Sequence, residues 1–345
     1  MKYRLYTTSQ KAWEGMFRAM SAAQESIYLE LYTFLDNTET THNFLKLLKD
    51  KARAGLEVVM IIDAFGSSAL RHGVAEELRA AGAEFIFFKQ LFRRTHRKII
   101  IVDHKVAFIG GVNITEETRN WLDLQIKLQG RIIKPLLESF AHSYRLVGGQ
   151  NNKILQYNRL PLVKKIKAWI TDNLTGGASH YFLNDYYKQK IREARSSIII
   201  VTPYLLPPSW FINLLNDACR RGIIVEMLIP NDTDIKLLNK VNYLNACRLS
   251  ELGVKFYLSP TMNHAKIMLI DNEEGVIGSQ NMDILSFNWN IEVGVFFRQK
   301  DLIDDLKKII ADWKKISTIF INRPWQIKLI NRSLIAVLKF FYPLF

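Results

Sequence analysis

The amino-acid sequence predicts an α/β protein of two related lobes, each a mixed or parallel β-sheet flanked by helices. Continuous apolar segments alternate with helical patterns of about 10–15 residues, an alternation typical of sheets covered on both faces. The same order of segments recurs after about 170 residues. The chain of 345 residues is also longer than a single core usually supports. We therefore expect two lobes related by a pseudo-twofold axis.

Equivalent elements can be matched between the two halves of the chain. Strand-like runs begin at Ser26 and at Ser197, each after a helical pattern. The next two helical patterns of each half end at a glycine, which suits the left-handed residue that follows many helices. These glycines are Gly55 and Gly82 in the first half, and Gly222 and Gly253 in the second.

The repeat divides the chain into four parts. Residues 1–150 form the predicted first lobe and residues 178–325 the predicted second lobe. Residues 151–177 interrupt the pattern with Asn, Pro and a Gly pair, so we interpret them as the linker between the lobes. Residues 326–345 are predicted to form a basic, amphipathic tail.

Composition and charge limit the classes of protein and of partner. A hydrophobic fraction of 48% excludes intrinsic disorder, because such a chain can bury a substantial core. Lys and Arg outnumber Asp and Glu by 47 to 33, which gives a net charge of +14. This excess favours phosphate-rich partners such as nucleic acid or an anionic membrane surface. The sequence has neither a signal-peptide pattern nor an apolar run long enough for a membrane span, so we expect no integral membrane protein.

One motif, H-x-K-x-x-x-x-D, occurs once in each half, at an offset of 168 residues. Small residues and an asparagine follow each copy at matching positions. The first copy and its following residues are His96, Lys98, Asp103, Gly110, Gly111 and Asn113. The second set is His264, Lys266, Asp271, Gly278, Ser279 and Asn281. A single match would be weak evidence, but two matched copies in matched frameworks indicate a shared site.

The spacing within the motif predicts which side chains act together. Residues two apart on a strand project to the same face, so each copy presents an imidazole beside an ammonium group. Asp103 and Asp271 have the opposite parity and fall in turns, where we expect local backbone hydrogen bonds rather than substrate contact. The glycines and Ser279 leave room for a ligand, and the amides of Asn113 and Asn281 can donate hydrogen bonds to phosphate oxygens.

Two histidines, two lysines and two asparagines suit chemistry on a phosphodiester. One neutral imidazole can attack phosphorus to form a phosphohistidine, while the other exchanges a proton with the leaving and entering oxygens. The lysines and amides can stabilise the non-bridging oxygens, so this mechanism needs no metal ion and no other cofactor. Asp123 and Glu292, found 27 and 28 residues after His96 and His264, are candidates to orient the imidazoles. The spacing leaves open which histidine attacks.

These motifs resemble those of the phospholipase D superfamily. The resemblance is closest to bacterial cardiolipin synthases of the short type that lacks N-terminal membrane helices, and it covers most of the chain. It extends to residues 30–34, 36, 63–67, 121–123, 130, 203–204 and 234, and to residues 278–283, 286–287 and 290–292 after the second motif. One departure is Leu285, which stands where the family usually has Arg.

The resemblance implies a phospholipase D fold and a role for each motif residue. His96 would be the nucleophile and His264 the general acid and base, with Asp123 and Glu292 orienting them. Phosphate would be bound by Lys98, Lys266, Asn113 and Asn281. The implied activity transfers a phosphatidyl group from a donor such as phosphatidylglycerol or phosphatidylethanolamine to a glycerol-headed acceptor such as phosphatidylglycerol, which yields cardiolipin.

Three alternatives remain open from the sequence. Water as the acceptor would make the protein a phospholipase D-type hydrolase. The net charge of +14 would also suit a superfamily nuclease or phosphodiesterase that acts on DNA. A duplicated fold without activity would be a lipid- or nucleic-acid-binding module.

Several segments are candidates for contact with a membrane surface. In a helical tail, Lys328, Arg332 and Lys339 would share one face, and the apolar remainder includes Phe340 and Phe341. Trp169, beside a basic run, could add a second contact, and residues 91–94 could line a lipid entrance. Packing of the tail on the second lobe and a solvated 91–94 loop are the alternatives. The membrane interpretation places the protein peripherally, at the cytoplasmic face of the cell membrane.

Overall fold

The computed structural model describes residues 1–159, 168–172 and 182–321, which form two lobes built around separate β-sheets. The strands of the first lobe are β1 Lys2–Thr8, β2 Ser26–Leu31, β3 Glu57–Asp63, β4 Glu84–Phe88, β5 Lys98–Val102, β6 Val106–Gly110 and β7 Leu122–Gln129. Its helices are α1 Ser9–Ser21, α2 Phe44–Arg53, α3 Val74–Ala80, α4 Ile133–Leu146 and α5 Asn152–Leu155. Short 3-10 turns lie at Glu116–Thr118 and Gln156–Arg159.

The second lobe repeats this plan. Its strands are β8 Ala168–Asp172, β9 Ser197–Val201, β10 Leu205–Leu206, β11 Ile224–Pro230, β12 Lys255–Ser259, β13 Ile267–Ile270, β14 Glu274–Gly278, β15 Met282–Asp283, β16 Val293–Phe297 and β17 Thr318–Ile319. Its helices are α6 Phe182–Glu193, α7 Ser209–Arg220, α8 Lys236–Glu251, α9 Ile284–Asn288 and α10 Lys300–Ile316.

The order of strands confirms the predicted fold class. The first sheet has the order β1-β7-β6-β5-β2-β3-β4, and the main sheet of the second lobe has the order β17-β12-β11-β9-β13-β14-β16-β8. In each sheet three neighbouring strands are parallel, namely β2, β3 and β4, or β9, β11 and β12. The strand that follows each motif histidine, β5 or β13, pairs antiparallel with the first of these three. Both sheets are therefore mixed, and the two halves share one topology.

One hydrophobic cluster runs through both lobes. It joins Tyr28, Ile99 and Phe140 of the first lobe to Val293 and Trp313 of the second. Two further clusters lie under α1 to α3 in the first lobe and under α6 to α8 in the second. Because the central cluster is continuous, separating the lobes would expose buried apolar surface.

The segment predicted as a linker is ordered where it is described. Ile154 and Tyr157 pack against the core that contains the first sheet, and Asn151 donates a hydrogen bond to Glu57 at 2.7 Å. Residues 168–172 form the edge strand β8, which pairs antiparallel with β16. The described parts of this segment therefore extend the two lobes, because their backbone and apolar groups pair with neighbouring elements.

Some sequence predictions fall outside the described residues. The tail with Lys328, Arg332, Lys339, Phe340 and Phe341 lies there, as does the side chain of Trp169 on β8. Among the helices in the described part of the chain, none combines the length and apolar character needed to span a bilayer.

Asp103 and Asp271 stabilise the strand frame at equivalent places. The sequence predicted local hydrogen bonds within their turns, but their carboxylates accept backbone N–H groups about 75 residues earlier in the chain. Asp103 accepts from residues 24, 25 and 26 at the start of β2, and Asp271 accepts from residues 195, 196 and 197 at the start of β9. Both aspartates adopt left-handed backbone conformations, with φ of 51° and 54°. The turn conformation aims each carboxylate at the neighbouring strand.

We expect Asp271→Asn to lower the free energy of unfolding by about 1–3 kcal/mol, because three backbone donors lose a charged acceptor. The measurement is urea unfolding followed by circular dichroism. Asp217→Asn, at an exposed position of α7, is the matched control and should change stability by less than about 0.5 kcal/mol. Equal stability of the two variants would contradict the role assigned to Asp271.

Candidate active site

Backbone hydrogen bonds hold each motif histidine against the opposite lobe. The N–H of His96 donates to the carbonyl oxygen of Ile291 at 2.9 Å, and the N–H of Ile291 donates to the carbonyl oxygen of Arg94 at 2.7 Å. In the same way, the N–H of His264 donates to the carbonyl oxygen of Leu122 at 2.7 Å, and the N–H of Leu122 donates to the carbonyl oxygen of Met262 at 3.0 Å. The two motifs therefore meet at the junction of the lobes.

The orienting carboxylates are exchanged between the lobes. Nδ1 of His96 lies 3.0 Å from Glu292 Oε1 and 3.0 Å from the carbonyl oxygen of Ser279. Nδ1 of His264 lies 2.9 Å from Asp123 Oδ2. A neutral imidazole that donates from Nδ1 has an unprotonated Nε2, so in both rings Nε2 is the atom available for reaction.

Burial and neighbouring charges favour the neutral form of both imidazoles. Burial lowers the pKa of His96 well below its ordinary value, and the charges of Lys98 and Lys266 lower it further. Burial and Lys266 lower the pKa of His264 to about 4, although Asp123 opposes the shift. Lys266, in the second lobe, acts on both rings, which is consistent with one shared site.

The motif lysines are buried and unusually acidic. Lys98 Nζ donates to the carbonyl oxygen of His96 at 2.7 Å, and Lys266 Nζ donates to that of His264. Burial and the charge of Lys266 lower the pKa of Lys98 well below its usual range. Burial lowers the pKa of Lys266 to about 8, although Asp123 and Glu292 partly offset this effect. An anionic ligand would favour protonation of both amines, because it would compensate their buried charge.

Glu292 is the centre of a buried hydrogen-bond network. The hydroxyls of Ser279 and Ser286 donate to it, the latter at 2.7 Å. Burial raises the pKa of Glu292 to about 8, against the lowering effects of Lys98 and the two hydroxyls. Burial therefore favours the neutral form of the Glu292 carboxyl as well as that of the His96 ring.

The residues after each motif complete the cleft. The Oδ1 atoms of Asn113 and Asn281 are buried and have no hydrogen-bond partner among the described residues. Gly111 permits the close approach of the lobes, because a Cβ there would lie 2.2 Å from Asp123 Oδ1 and 2.9 Å from the carbonyl oxygen of His264. Any side chain at Gly111 would displace the carboxylate that orients His264.

Aromatic rings pack against both imidazoles, and motif reasoning assigned them no role. Tyr32, at the end of β2, lies 4.9 Å from the ring of His96. Trp121 and Tyr204 lie 5.3 Å and 6.2 Å from the ring of His264. Tyr32 directly follows β2 and Tyr204 lies three residues after β9, so a tyrosine near the end of each matched strand was the signal that could have identified them.

A buried ion pair behind the first motif was also missed. Arg97 lies between His96 and Lys98, projects to the other face of the strand, and is 3.1 Å from Glu30 Oε2. Glu30 also accepts hydrogen bonds from Thr95 at 2.6 Å and Ser143 at 2.8 Å, and Arg97 donates to Ser139 and Ser143. The second lobe has Ala265 in place of Arg97. This asymmetry could be noticed in the sequence, but the partners come from β2 and α4.

The structure thus brings together the two histidines, the two lysines and both orienting carboxylates. Gly110 and Gly278 end β6 and β14, and the other small residues and the asparagines lie on the loops that follow. Asp103 and Asp271 lie at the opposite ends of their strands, away from the cleft. Leu285, at the position of the family's Arg, packs beside the apolar side chains of Leu206, Leu238 and Val241. Within the described ranges, no group of three or more His, Cys, Asp or Glu side chains could hold a metal ion.

Two topologically equivalent α/β lobes that each contribute one H-x-K pair to a single buried cleft define a protein of the phospholipase D superfamily. The chain belongs to the family described as "Cardiolipin synthase, PLD-like domain", whose model matches residues 16–142 and 187–313.

Known proteins resemble the chain over nearly its full length. The cardiolipin synthase of Geobacillus kaustophilus is 29% identical, and the match covers 94% of this chain and 69% of that protein. Cardiolipin synthase 1 of Staphylococcus epidermidis is 30% identical, with 95% and 71% covered. The crystal structure of phosphatidylserine synthase from Haemophilus influenzae has a TM-score of 0.75, at 14% identity, and covers 99% of this chain and 93% of that chain. This last similarity concerns the fold alone.

We expect the ring of His264 to titrate with a midpoint near pH 4 in the empty cleft, since burial and Lys266 oppose its protonation. Histidine-selective NMR over a pH series, with His264→Gln to assign the signal, measures the midpoint. Asp123→Asn should move it lower still, because the carboxylate is the group that favours the charged ring. A midpoint at or above the ordinary value for histidine would contradict the buried, lysine-flanked geometry.

Proposed function

We propose that this protein is a phosphatidyltransferase that makes cardiolipin through a phosphohistidine intermediate. The observation that carries the proposal is the pair of buried imidazoles, each held at Nδ1 by a carboxylate of the opposite lobe. The proteins that match most of the chain and are named cardiolipin synthases support phospholipids as the substrate class.

In the first half-reaction, Nε2 of His96 attacks the phosphorus of the donor phospholipid. The bond between phosphorus and the headgroup oxygen breaks, and its electron pair leaves with that oxygen. His264, protonated when the anionic phosphodiester is bound, gives its proton to the leaving alkoxide. The products are a phosphatidyl group on His96 and the released headgroup alcohol. The assignment of the attack to His96 follows the resemblance to the family.

In the second half-reaction, the hydroxyl of a glycerol-headed acceptor attacks the same phosphorus. His264, now neutral, takes the proton of that hydroxyl, and the P–N bond to His96 breaks. With phosphatidylglycerol as the acceptor the product is cardiolipin. With water as the acceptor the product is phosphatidic acid, so exclusion of water from the cleft favours transfer over hydrolysis.

The other buried groups support these steps electrostatically. Lys98, Lys266 and the amides of Asn113 and Asn281 would face the non-bridging oxygens of the phosphate, whose negative charge they stabilise. Glu292 and Asp123 accept the proton at Nδ1 of His96 and of His264. Nε2 of His96 is therefore free to attack, and Nε2 of His264 is the atom that exchanges a proton with the leaving and entering oxygens. The low pKa values of the empty cleft prepare a neutral nucleophile.

We expect purified protein to convert phosphatidylglycerol vesicles into cardiolipin and glycerol, and His96→Ala to lose at least about 1,000-fold of this activity because the nucleophile is absent. Thin-layer chromatography and mass spectrometry identify the lipids. An acid-labile phosphoryl adduct should form in the wild type and be absent from His96→Ala, because the adduct requires Nε2 of His96.

Two controls separate the alternatives. His72→Ala changes a histidine at an exposed position outside the cleft and should leave turnover unaltered. Plasmid DNA incubated with the same protein tests for a nuclease. Cleavage of DNA without lipid turnover, or phosphatidic acid as the sole lipid product, would contradict the proposed transfer reaction.

The proposal also includes peripheral binding at the cytoplasmic face of the membrane. Its support is the sequence of residues 326–345, in which cationic residues recur at helical spacing among apolar ones. Deletion of these residues should weaken binding to phosphatidylglycerol vesicles in sedimentation assays, while hydrolysis of a soluble phosphodiester continues. Equal loss of both readouts would instead indicate that the tail is needed for folding.

A further inference from the structure

Large hydrophobic side chains are exposed on the loops that surround the histidine cleft. Leu91 is 83% exposed, and the rings of Phe65, Phe92 and Trp289 are 47%, 40% and 42% exposed. Phe65 follows Asp63 of β3 by two residues, the Leu91–Phe92 pair precedes the first motif, and Trp289 precedes Glu292. These four residues come from both lobes, and we call them the apolar rim.

The most exposed part of the apolar rim is a tight hairpin. Gln90 and Arg93 form an isolated antiparallel bridge, so Leu91 and Phe92 occupy the tip. Phe92 has a φ of 60°, a left-handed conformation that favours glycine and is unfavourable for a bulky side chain. A large aromatic residue at a position suited to glycine, with an exposed leucine beside it, indicates that the tip has a function other than folding.

The apolar rim is connected and flanked by cations. The rings of Phe92 and Trp289 lie 6.5 Å apart, across the junction of the lobes. The guanidinium of Arg94 stacks 4.5 Å above the ring of Phe65 and donates to the carbonyls of Gln90 and Arg93. A cavity of about 550 Å³ lies between the two loops of the first lobe. Its lining includes Asp63, Phe65, Leu91, Phe92 and Arg94.

Short hydrogen-bonded connections tie the apolar rim to the reacting residues. Asp63 accepts the N–H of Thr95, next to His96, at 2.9 Å, and its other oxygen accepts the N–H groups of Phe65 and Gly66. The carbonyl of Arg94 accepts the N–H of Ile291, next to Glu292. The rim therefore lies within a few residues of the nucleophile and of its orienting carboxyl.

The second motif has a smaller counterpart. Tyr204, whose ring lies 6.2 Å from His264, donates its hydroxyl hydrogen to Asp234 at 2.6 Å. Ile235, the next residue, is 47% exposed and is followed by the exposed Lys236. An exposed hydrophobic residue beside a cation thus occurs near both imidazoles.

We propose that the apolar rim inserts into the headgroup region of an anionic phospholipid bilayer and so brings donor lipids to the histidine cleft. This inference rests on the proposed function, because it assigns the route by which that site receives its lipid. Exposed apolar tips flanked by Lys89, Arg93 and Arg94 match a surface with anionic headgroups above an apolar interior. The rim consists of separate loop tips around a cleft rather than one flat patch, which suits a deformable lipid surface.

The first experiment compares two side-chain losses of the same size. Leu91→Ser removes an exposed aliphatic group from the apolar rim, and Ile224→Ser removes an isomeric group that is 53% exposed. Ile224 begins β11 and pairs with Ser197, at the end of the sheet opposite to the second motif. In sedimentation with vesicles of equimolar phosphatidylglycerol and phosphatidylcholine, we expect Leu91→Ser to weaken binding about tenfold and Ile224→Ser to leave it unaltered.

Phe92→Gly is a second variant, chosen because it should not destabilise the hairpin. Glycine adopts a φ of 60° freely, and this relief offsets the greater freedom of the unfolded chain. We therefore expect an unchanged melting temperature together with weaker vesicle binding. If Leu91→Ser, Phe92→Gly and their combination all bind vesicles as the wild type does, the proposal is wrong, and binding must depend on another segment such as residues 326–345.

Turnover of two substrates separates this proposal from the proposed function. The rim variants should lose activity on vesicles but keep wild-type activity on a short-chain phosphatidylglycerol below its micelle concentration. His96→Ala should lose both activities and keep vesicle binding. Absence of phosphodiester turnover in the wild type would refute the proposed function alone, because vesicle binding still reports on the rim. Loss of soluble turnover in the rim variants would contradict a role limited to lipid access.

Quenching of tryptophan fluorescence by brominated phosphatidylcholine in the same vesicles tests insertion directly. Trp289 is half exposed at the rim, so Trp289→Phe should remove a quenchable fraction of the emission. Equal quenching of the wild type and Trp289→Phe would contradict insertion of this side of the cleft.

Discussion

The exchange of carboxylates between the lobes is the constraint on which the site depends. Asp123 holds His264 and Glu292 holds His96, and all four side chains are buried. If the lobes separated, each carboxyl would lose its imidazole and each imidazole its orienting acceptor, which is costly in a buried setting. The backbone hydrogen bonds beside the motifs and the shared hydrophobic cluster hold the lobes together. The packing of the two lobes against each other therefore also assembles the site.

Burial is the main cause of the pKa shifts in the cleft, because it disfavours the charged forms of bases and acids alike. Burial and two lysines keep the imidazoles neutral, and burial lowers the pKa of Lys266 while it raises that of Glu292. Each shift reduces the charge of a buried group. A bound phosphodiester would place a negative charge beside the lysines and the imidazoles and so favour their protonated forms, so the substrate itself would create the protonation states that the reaction requires.

The two lobes are equivalent in topology but not in their surroundings. The first motif is supported by the buried Arg97–Glu30 pair, whereas the second has Ala265 at the matching position. The larger part of the apolar rim also adjoins His96, through the hairpin that ends at the motif. Duplication explains the matched motifs, and these asymmetries give the two histidines different environments.

The sequence by itself determined the duplicated α/β fold, the two H-x-K motifs and the candidate residues for the chemistry, because period, spacing and repetition are local properties of a chain. It also identified Asp123 and Glu292 as candidate partners. Only the tertiary structure decided that each carboxyl serves the other lobe's histidine, that Glu30 neutralises Arg97, and that Asp103 and Asp271 bind the starts of distant strands. These contacts join residues that are 67 to 196 positions apart. Which of them form depends on how sheets and lobes pack, a property that no local pattern encodes.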